Sequence, residues 1–191
     1  MRKLLAFTLL LALAGCGYNE VVVKDEDVKA AWAEVENQYK RRADLVPNLV
    51  NTVKGAASFE QETLQKVVEA RAKVGQVHVD QSTIDDPQKL HQFEQAQGQL
   101  SGALSRLLVV SEQYPQLRAT ESFRDLQAQL EGTENRIAVE RMRFNELSRD
   151  FNARRDSFPT VIVAGMFGGR FAEKPYFQAE PEATHAPKVK F

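Results

Sequence analysis

Cysteine, histidine, glycine, proline and any surplus of charge are all scarce in this 191-residue sequence. Its single cysteine, Cys16, has no partner for an internal disulfide and no second thiolate for a cysteine-rich metal site. With 25 basic against 26 acidic residues, the formal charge is -1. There is no basic footprint for nucleic acid. Gly and Pro are rare before residue 158, which favours long helices over a fold that turns every few residues. No long apolar run is present either. The longest, Leu4 to Ala14, has 11 residues, whereas a helix needs roughly 20 to cross a bilayer.

That short run has the context of an export signal. Arg2 and Lys3 precede it, and the small residues Ala14 and Gly15 follow, giving the order of a charged region, an apolar region and a cleavage site. Leu13-Ala14-Gly15-Cys16 then resembles the bacterial lipobox, in which cleavage between Gly15 and Cys16 leaves a diacylglyceryl-modified cysteine at the new N-terminus. The expectation is a signal peptide over 1–15, a lipidated linker over 16–24, a helical domain over 25–158 and an extended tail over 159–191. Buried acyl chains contribute about 0.8 kcal/mol per methylene, so two or more hold a protein stably on lipid. Loss of Arg2 and Lys3 leaves 23 basic residues against 26 acidic ones, a formal charge of -3. The expected location is the cell envelope. In a host with two membranes, Gly17 in place of a retention aspartate points to the periplasmic side of the outer membrane.

Beyond the linker, apolar residues recur at three- and four-residue steps. Val28, Trp32, Val35, Tyr39, Val46, Leu49 and Val53 predict one long helix, interrupted in polarity at Arg42 and with a kink near Ala43 caused by Pro47. Ser58 and Gln61 suggest a capping box for a second helix whose buried face is Phe59, Leu64, Val67, Val68 and Val74. Residues 75–86 read as a loop. Asp86-Pro87 opens a third helix with the stripe Leu90, Phe93, Leu100, Leu104, Leu107 and Tyr114, ended by Pro115. A fourth runs from about Thr120 to Ser157 on Phe123, Leu130, Ile137, Phe144 and Phe151. Four such helices on short links predict an all-α, antiparallel up-and-down four-helix bundle. In the tail, VIVAGMFGG is too short to span lipid, and Pro175, Pro181 and Pro187 oppose helix.

Catalytic chemistry is poorly supported. A di-iron bundle needs a Glu-x-x-His pair on each of two helices. Only Glu182-Ala183-Thr184-His185 has the spacing, once, in the proline-rich tail, and His78 and His91 have no such partner. No metal or other cofactor is expected. No Gly-x-Ser-x-Gly elbow or phosphate loop occurs, and lipidation of Cys16 leaves no thiol nucleophile. The informative residues are polar ones on or beside the apolar stripes: Arg42 in helix one, Gln97, Ser101 and Arg106 in helix three, and Glu134 and Asn135 in helix four. Antiparallel packing brings these segments level. Arg42, Arg106, Glu134 and Asn135 are therefore the candidates for a buried, mutually hydrogen-bonded layer, which fixes helix register more than it adds stability. The alternatives are a solvated face of weak ion pairs and a ligand- or peptide-binding groove.

The same stretches resemble the LemA family of bacterial envelope proteins. They are residues 18–57, with RRADLVPNLVNTVKG, residues 100–117, and residues 123–146, with QLEGTENRIAVER, followed by FP and PYF in the tail. The resemblance implies a four-helix bundle outside the cytoplasmic membrane, with no established catalytic residues to carry over. Relatives are often encoded beside membrane metalloproteases, which suggests that class as the envelope partner. Many look to be held by a transmembrane segment, and the lipobox here departs from that. The expected function is a lipid-anchored, non-enzymatic scaffold or adaptor in envelope maintenance. Two rivals stand beside it: an enzyme subunit using Glu134, Arg106 and Asn135 in a buried pocket, and a membrane-shaping lipoprotein whose VIVAGMFGG segment touches lipid.

Overall fold

The computed structural model describes residues 2–55 and 60–178, with side chains from residue 17 onward except at 163 and 168. Among the described residues the chain is mostly helical, without strands. It comprises α1 (Arg2–Lys54), α2 (Gln61–Gln76), α3 (Pro87–Ser111), α4 (Pro115–Arg118), α5 (Glu121–Asp156) and α6 (Thr160–Met166), with 3-10 turns at Gln81–Asp85 and Gly168–Phe171. No described helix is long and apolar enough to cross a membrane.

The two longest helices, α1 and α5, pack in opposite directions. Along α1 the contacts climb from Glu20 through Trp32 to Arg42, while their partners on α5 descend from Arg154 through Phe144 to Glu134. Helix α3 shares the direction of α1: Tyr39 meets Phe93, and Arg42 meets Gln97. The apolar stripes meet in two cores. One, rich in aromatic residues, gathers Val28, Trp32, Tyr39, Phe93, Phe144 and Phe151. The other is almost wholly aliphatic, built on Leu49, Val53, Val67, Leu100, Leu107 and Leu130. Arg42 lies between them in sequence and in space.

Pro47 does not break α1, which runs unbroken through it. A proline at 47 has no N–H to offer the carbonyl four residues earlier, at Ala43. That carbonyl accepts instead from Arg71 Nε of α2 at 3.0 Å. The expected loosening is therefore replaced by an interhelix hydrogen bond. Asp86 caps α3 as expected, accepting from the backbone N–H groups of Gln88 at 2.8 Å and Lys89 at 3.4 Å, with Pro87 in the first turn. In the expected loop, Asp80 and Thr83 form a capping box for the 3-10 turn, which buries Ile84.

Several boundaries differ from the sequence reading. Residues 16–24, expected as a linker, belong to α1, and Val21 among them is buried in the aromatic core. The start of the tail is not extended but forms α6 and a 3-10 turn, because Thr160, Ala164 and Phe171 find a surface on the helices. The Phe158–Pro159 peptide bond is cis. Val68 faces solvent, since the inner face of α2 is filled by Thr63, Leu64, Val67 and Ala70. The cap position of α2 is Glu60, not Ser58, which with Phe59 lies outside the described residues. Residues 179–191, including Glu182, His185, Pro181 and Pro187, lie outside them too.

Candidate functional site

Arg42 occupies a position on α1 where the stripe calls for an apolar residue, and it is 1% exposed. A buried guanidinium is tolerable only if its donors are satisfied. Nη1 donates to Glu134 Oε1 at 2.7 Å and to Ser101 Oγ at 2.5 Å. Nη2 donates to the Gln97 side-chain oxygen at 2.6 Å and to the Gln97 carbonyl at 3.1 Å. Its Cζ lies over the Tyr39 ring, 5.0 Å from the centroid. Only Nε is left buried without a partner. One side chain of α1 thus fixes the height of both α3 and α5, because the planar guanidinium aims its two terminal nitrogens at partners on both helices.

The layer opens into a cleft of about 900 Å³ between α3 and α5. Arg42, Ser101 and Glu134 form its floor, His91 and Met142 its sides, and Phe177 with Gln178 one end. Burial pushes the Tyr39 phenol above its usual value, against the pull of Arg141 and Arg42, so the hydroxyl stays protonated at neutral pH. His91 Nε2 lies 2.9 Å from Gln95 Nε2, and His78 is paired at the surface with Asp80 at 3.4 Å. Among the described residues no three His, Cys, Asp or Glu side chains converge as a metal would require.

Of the four residues expected in the layer, the structure brings together Arg42 and Glu134. Arg106 and Asn135 are exposed. Arg106 lies five residues beyond Ser101, about 140° further round the helix axis, and is exposed there. Asn135 is one step past Glu134, about 100° round, and lines a neighbouring groove beside Leu104 and Leu130. Their places are taken by Gln97 and Ser101, polar residues four apart on one face of α3. Glu134 lines that neighbouring groove together with Asn135, whereas Arg106 is not among its lining residues.

A second polar site had no counterpart in the sequence reading. The segment after the 3-10 turn, residues 172–178, lies along α5 without helical structure. Asn152 pairs with the backbone of Lys174, donating to its carbonyl at 2.9 Å and accepting from its N–H at 2.9 Å. Asn145 does the same for Phe177, at 3.0 and 2.8 Å. Seven helical residues rise about 10 Å, and three extended residues span about the same distance, so the two amides read one stretched strand in register. Phe177 enters the aromatic core, 5.4 Å from Phe144 and under the guanidinium of Arg141 at 4.8 Å. Lys174 is as buried as Arg42. Its ammonium lies 2.8 Å from Asp25 and donates to Asp85 at 2.5 Å. Burial alone raises the Asp25 carboxyl, but the ammonium groups of Lys174 and Lys29 outweigh it and hold Asp25 below the usual carboxylate range. The seven-residue spacing of two asparagines on a helix, with Lys and Phe three apart downstream, is the signal that could have found this clamp.

The LemA family profile matches residues 31–191. Magnetosome protein MamQ 2 of Paramagnetospirillum magneticum is 26% identical over 180 residues, covering 86% of this chain and 65% of that protein. Protein LemA of Metamycoplasma hominis is 25% identical over 146 residues, covering 76% of this chain and 63% of its own length. MamQ of Magnetospirillum gryphiswaldense is 26% identical over 195 residues, with 94% and 70% covered. The chain thus spans a little under two thirds of the first of these relatives.

Proposed function

Because the chain belongs to the LemA family, we propose that it is a lipid-anchored scaffold of the bacterial cell envelope that works by holding other polypeptides and not by turning over a substrate. Its four long helices, α1, α2, α3 and α5, act as an up-and-down bundle. Cleavage at Gly15 and acylation of Cys16 tether that bundle to a membrane, on the periplasmic side of the outer membrane in a host with two membranes.

The observation that carries the binding reading is the docked segment 172–178. Two asparagine amides of α5 satisfy its backbone, and an aromatic slot takes Phe177. This is recognition of an extended peptide by main-chain hydrogen bonds plus a side-chain pocket. The cleft continues past Gln178 over the Arg42 layer, so the same surface offers polar and apolar contacts to a partner segment. An envelope protein fits that role, with membrane metalloproteases as the class suggested by the family's gene neighbourhoods. Arg42, already bound on four sides by its own chain, reads as the rigid floor of this surface and not as a reacting group.

A photo-crosslinker at Met142, 67% exposed beside the cleft, tests this in native membranes. The expected result is a discrete protein adduct, several-fold enriched over a crosslinker at Val109, which is 66% exposed elsewhere. Equal background from both positions would count against binding through the cleft.

A further inference from the structure

Helix α6 is built with its larger apolar side chains on the outside. Thr160 and Ala164 face α1 and α5, whereas Val161, Ile162 and Met166 face solvent, flanked by Phe158 and Phe167, all between 44% and 79% exposed. Burial in water-filled surroundings favours the reverse arrangement. Other exposed apolar residues, such as Val68, Val109 and Val139, sit on separate helices, but these five lie within ten consecutive positions. A contiguous apolar patch of this kind marks a contact surface.

Its position names the occupant. A Cβ added at Gly17 would lie 3.0 Å from Thr160 Oγ1, so α6 packs against the turn of α1 that immediately follows Cys16. Tyr18 carries the contact outward, its ring 5.2 Å from Phe167 and 5.8 Å from Phe171. Arg154 ties the end of α5 to Glu20 at 2.6 Å, holding the same corner together. At the rim, exposed Arg170 stacks over Tyr18 and Phe171, its Cζ 5.7 and 5.5 Å from their centroids. A guanidinium beside aromatic rings is the composition of a lipid interface, where the rings sit at headgroup level and the cation meets lipid phosphate.

We propose that α6, with Phe158 and Phe167, is a second membrane contact that lies in the interface of the bilayer holding the acylated Cys16 and sets the orientation of the helical body on it. This rests on the anchor reading above. Acyl chains alone leave the body free to swivel about Cys16. An adjacent apolar patch removes that freedom, and because tethering supplies a high local concentration, the patch need not bind lipid strongly by itself. Seven helical residues are too few to cross the bilayer, so the contact is interfacial.

Because Cys16 is the only cysteine of the sequence, Met166→Cys in the acylated mature protein carries one free thiol for a nitroxide. The labelled protein is reconstituted into phosphatidylethanolamine–phosphatidylglycerol vesicles, with Val109→Cys as the reference. The expected result is a several-fold higher ratio of oxygen to nickel-chelate accessibility at 166 than at 109, falling towards the reference when Ile162→Asp is added. Equal ratios at both positions in protein that still floats with the vesicles would overturn the proposal while leaving the anchor intact. Labelling of Cys16 itself, with loss of flotation, would overturn the anchor and this contact with it. Helicity by circular dichroism confirms that the exposed substitutions leave the fold unchanged.

Discussion

Two cations, Arg42 and Lys174, are buried equally, at 1% exposure, and stabilise different things. Arg42 is a flat fork at mid-height, with hydrogen-bond partners on α3 and α5, and it sets the register of helices that pack in any case. Lys174 is a point charge in the terminal segment. Its carboxylate partners are Asp25 on α1 and Asp85 at the end of the 3-10 turn, which its ammonium bridges. The first cation specifies a packing arrangement, and the second holds a segment down. Arginine suits the former through a rigid, planar set of donors and lysine the latter through three freely rotating donors.

Truncation separates these roles. Arg42→Ala is expected to cost the most, about 4 kcal/mol in chemical unfolding, because it strands Gln97 and Ser101 and leaves a void between the two cores. Little of that loss belongs to the ion pair itself, since the Glu134 side chain is 42% exposed and solvent screens it. Lys174→Met is expected to cost about 3 kcal/mol, because Asp25 keeps Lys29 as a partner. Its loss should be concentrated in the terminal segment, read as faster backbone hydrogen exchange at 174–178 with α5 still protected. Asn152→Ala leaves a peptide group of Lys174 without partners and should cost about 2 kcal/mol, with the same exchange signature. Uniform loss of protection across all helices in either variant would mean that the segment is part of the cooperative core.

A smaller effect distinguishes the sites by pH. Asp25 has a folded pKa below its unfolded one, so its contribution is fully present above the ordinary carboxylate range and is lost as pH falls through the lowered folded value. Removing Lys174 removes part of what lowers it. The acid-unfolding midpoint of Lys174→Met is therefore expected at higher pH than that of the parent protein, and an unchanged midpoint would show that Lys29 alone governs Asp25.

The helical order of this fold was legible because it is written in local periodicity: the stripe from Val28 to Val53 and the Asp86-Pro87 start both stand in the structure. Arg42 was legible for the same reason, as a polar interruption in a regular apolar pattern. Its partners were only partly so. Choosing among Gln97, Ser101 and Arg106, or between Glu134 and Asn135, needs the rotation of each helix about its axis, which neighbouring residues fix and composition does not. Lys174 was illegible, since its partners lie 89 and 149 residues away in sequence, at Asp85 and Asp25, and no periodicity links them. The tail misled for a related reason: prolines at 175, 181 and 187 argue against helix where they stand but say nothing of residues 160–166, which fold because a surface awaits them.

The proposed tether at Cys16 is tested most directly by the intact mass of the protein extracted from membranes of its native host. The expected result is a chain that starts at Cys16 and carries added acylglyceryl mass. An unacylated chain that still retains residues 1–15 would contradict a lipid-held scaffold.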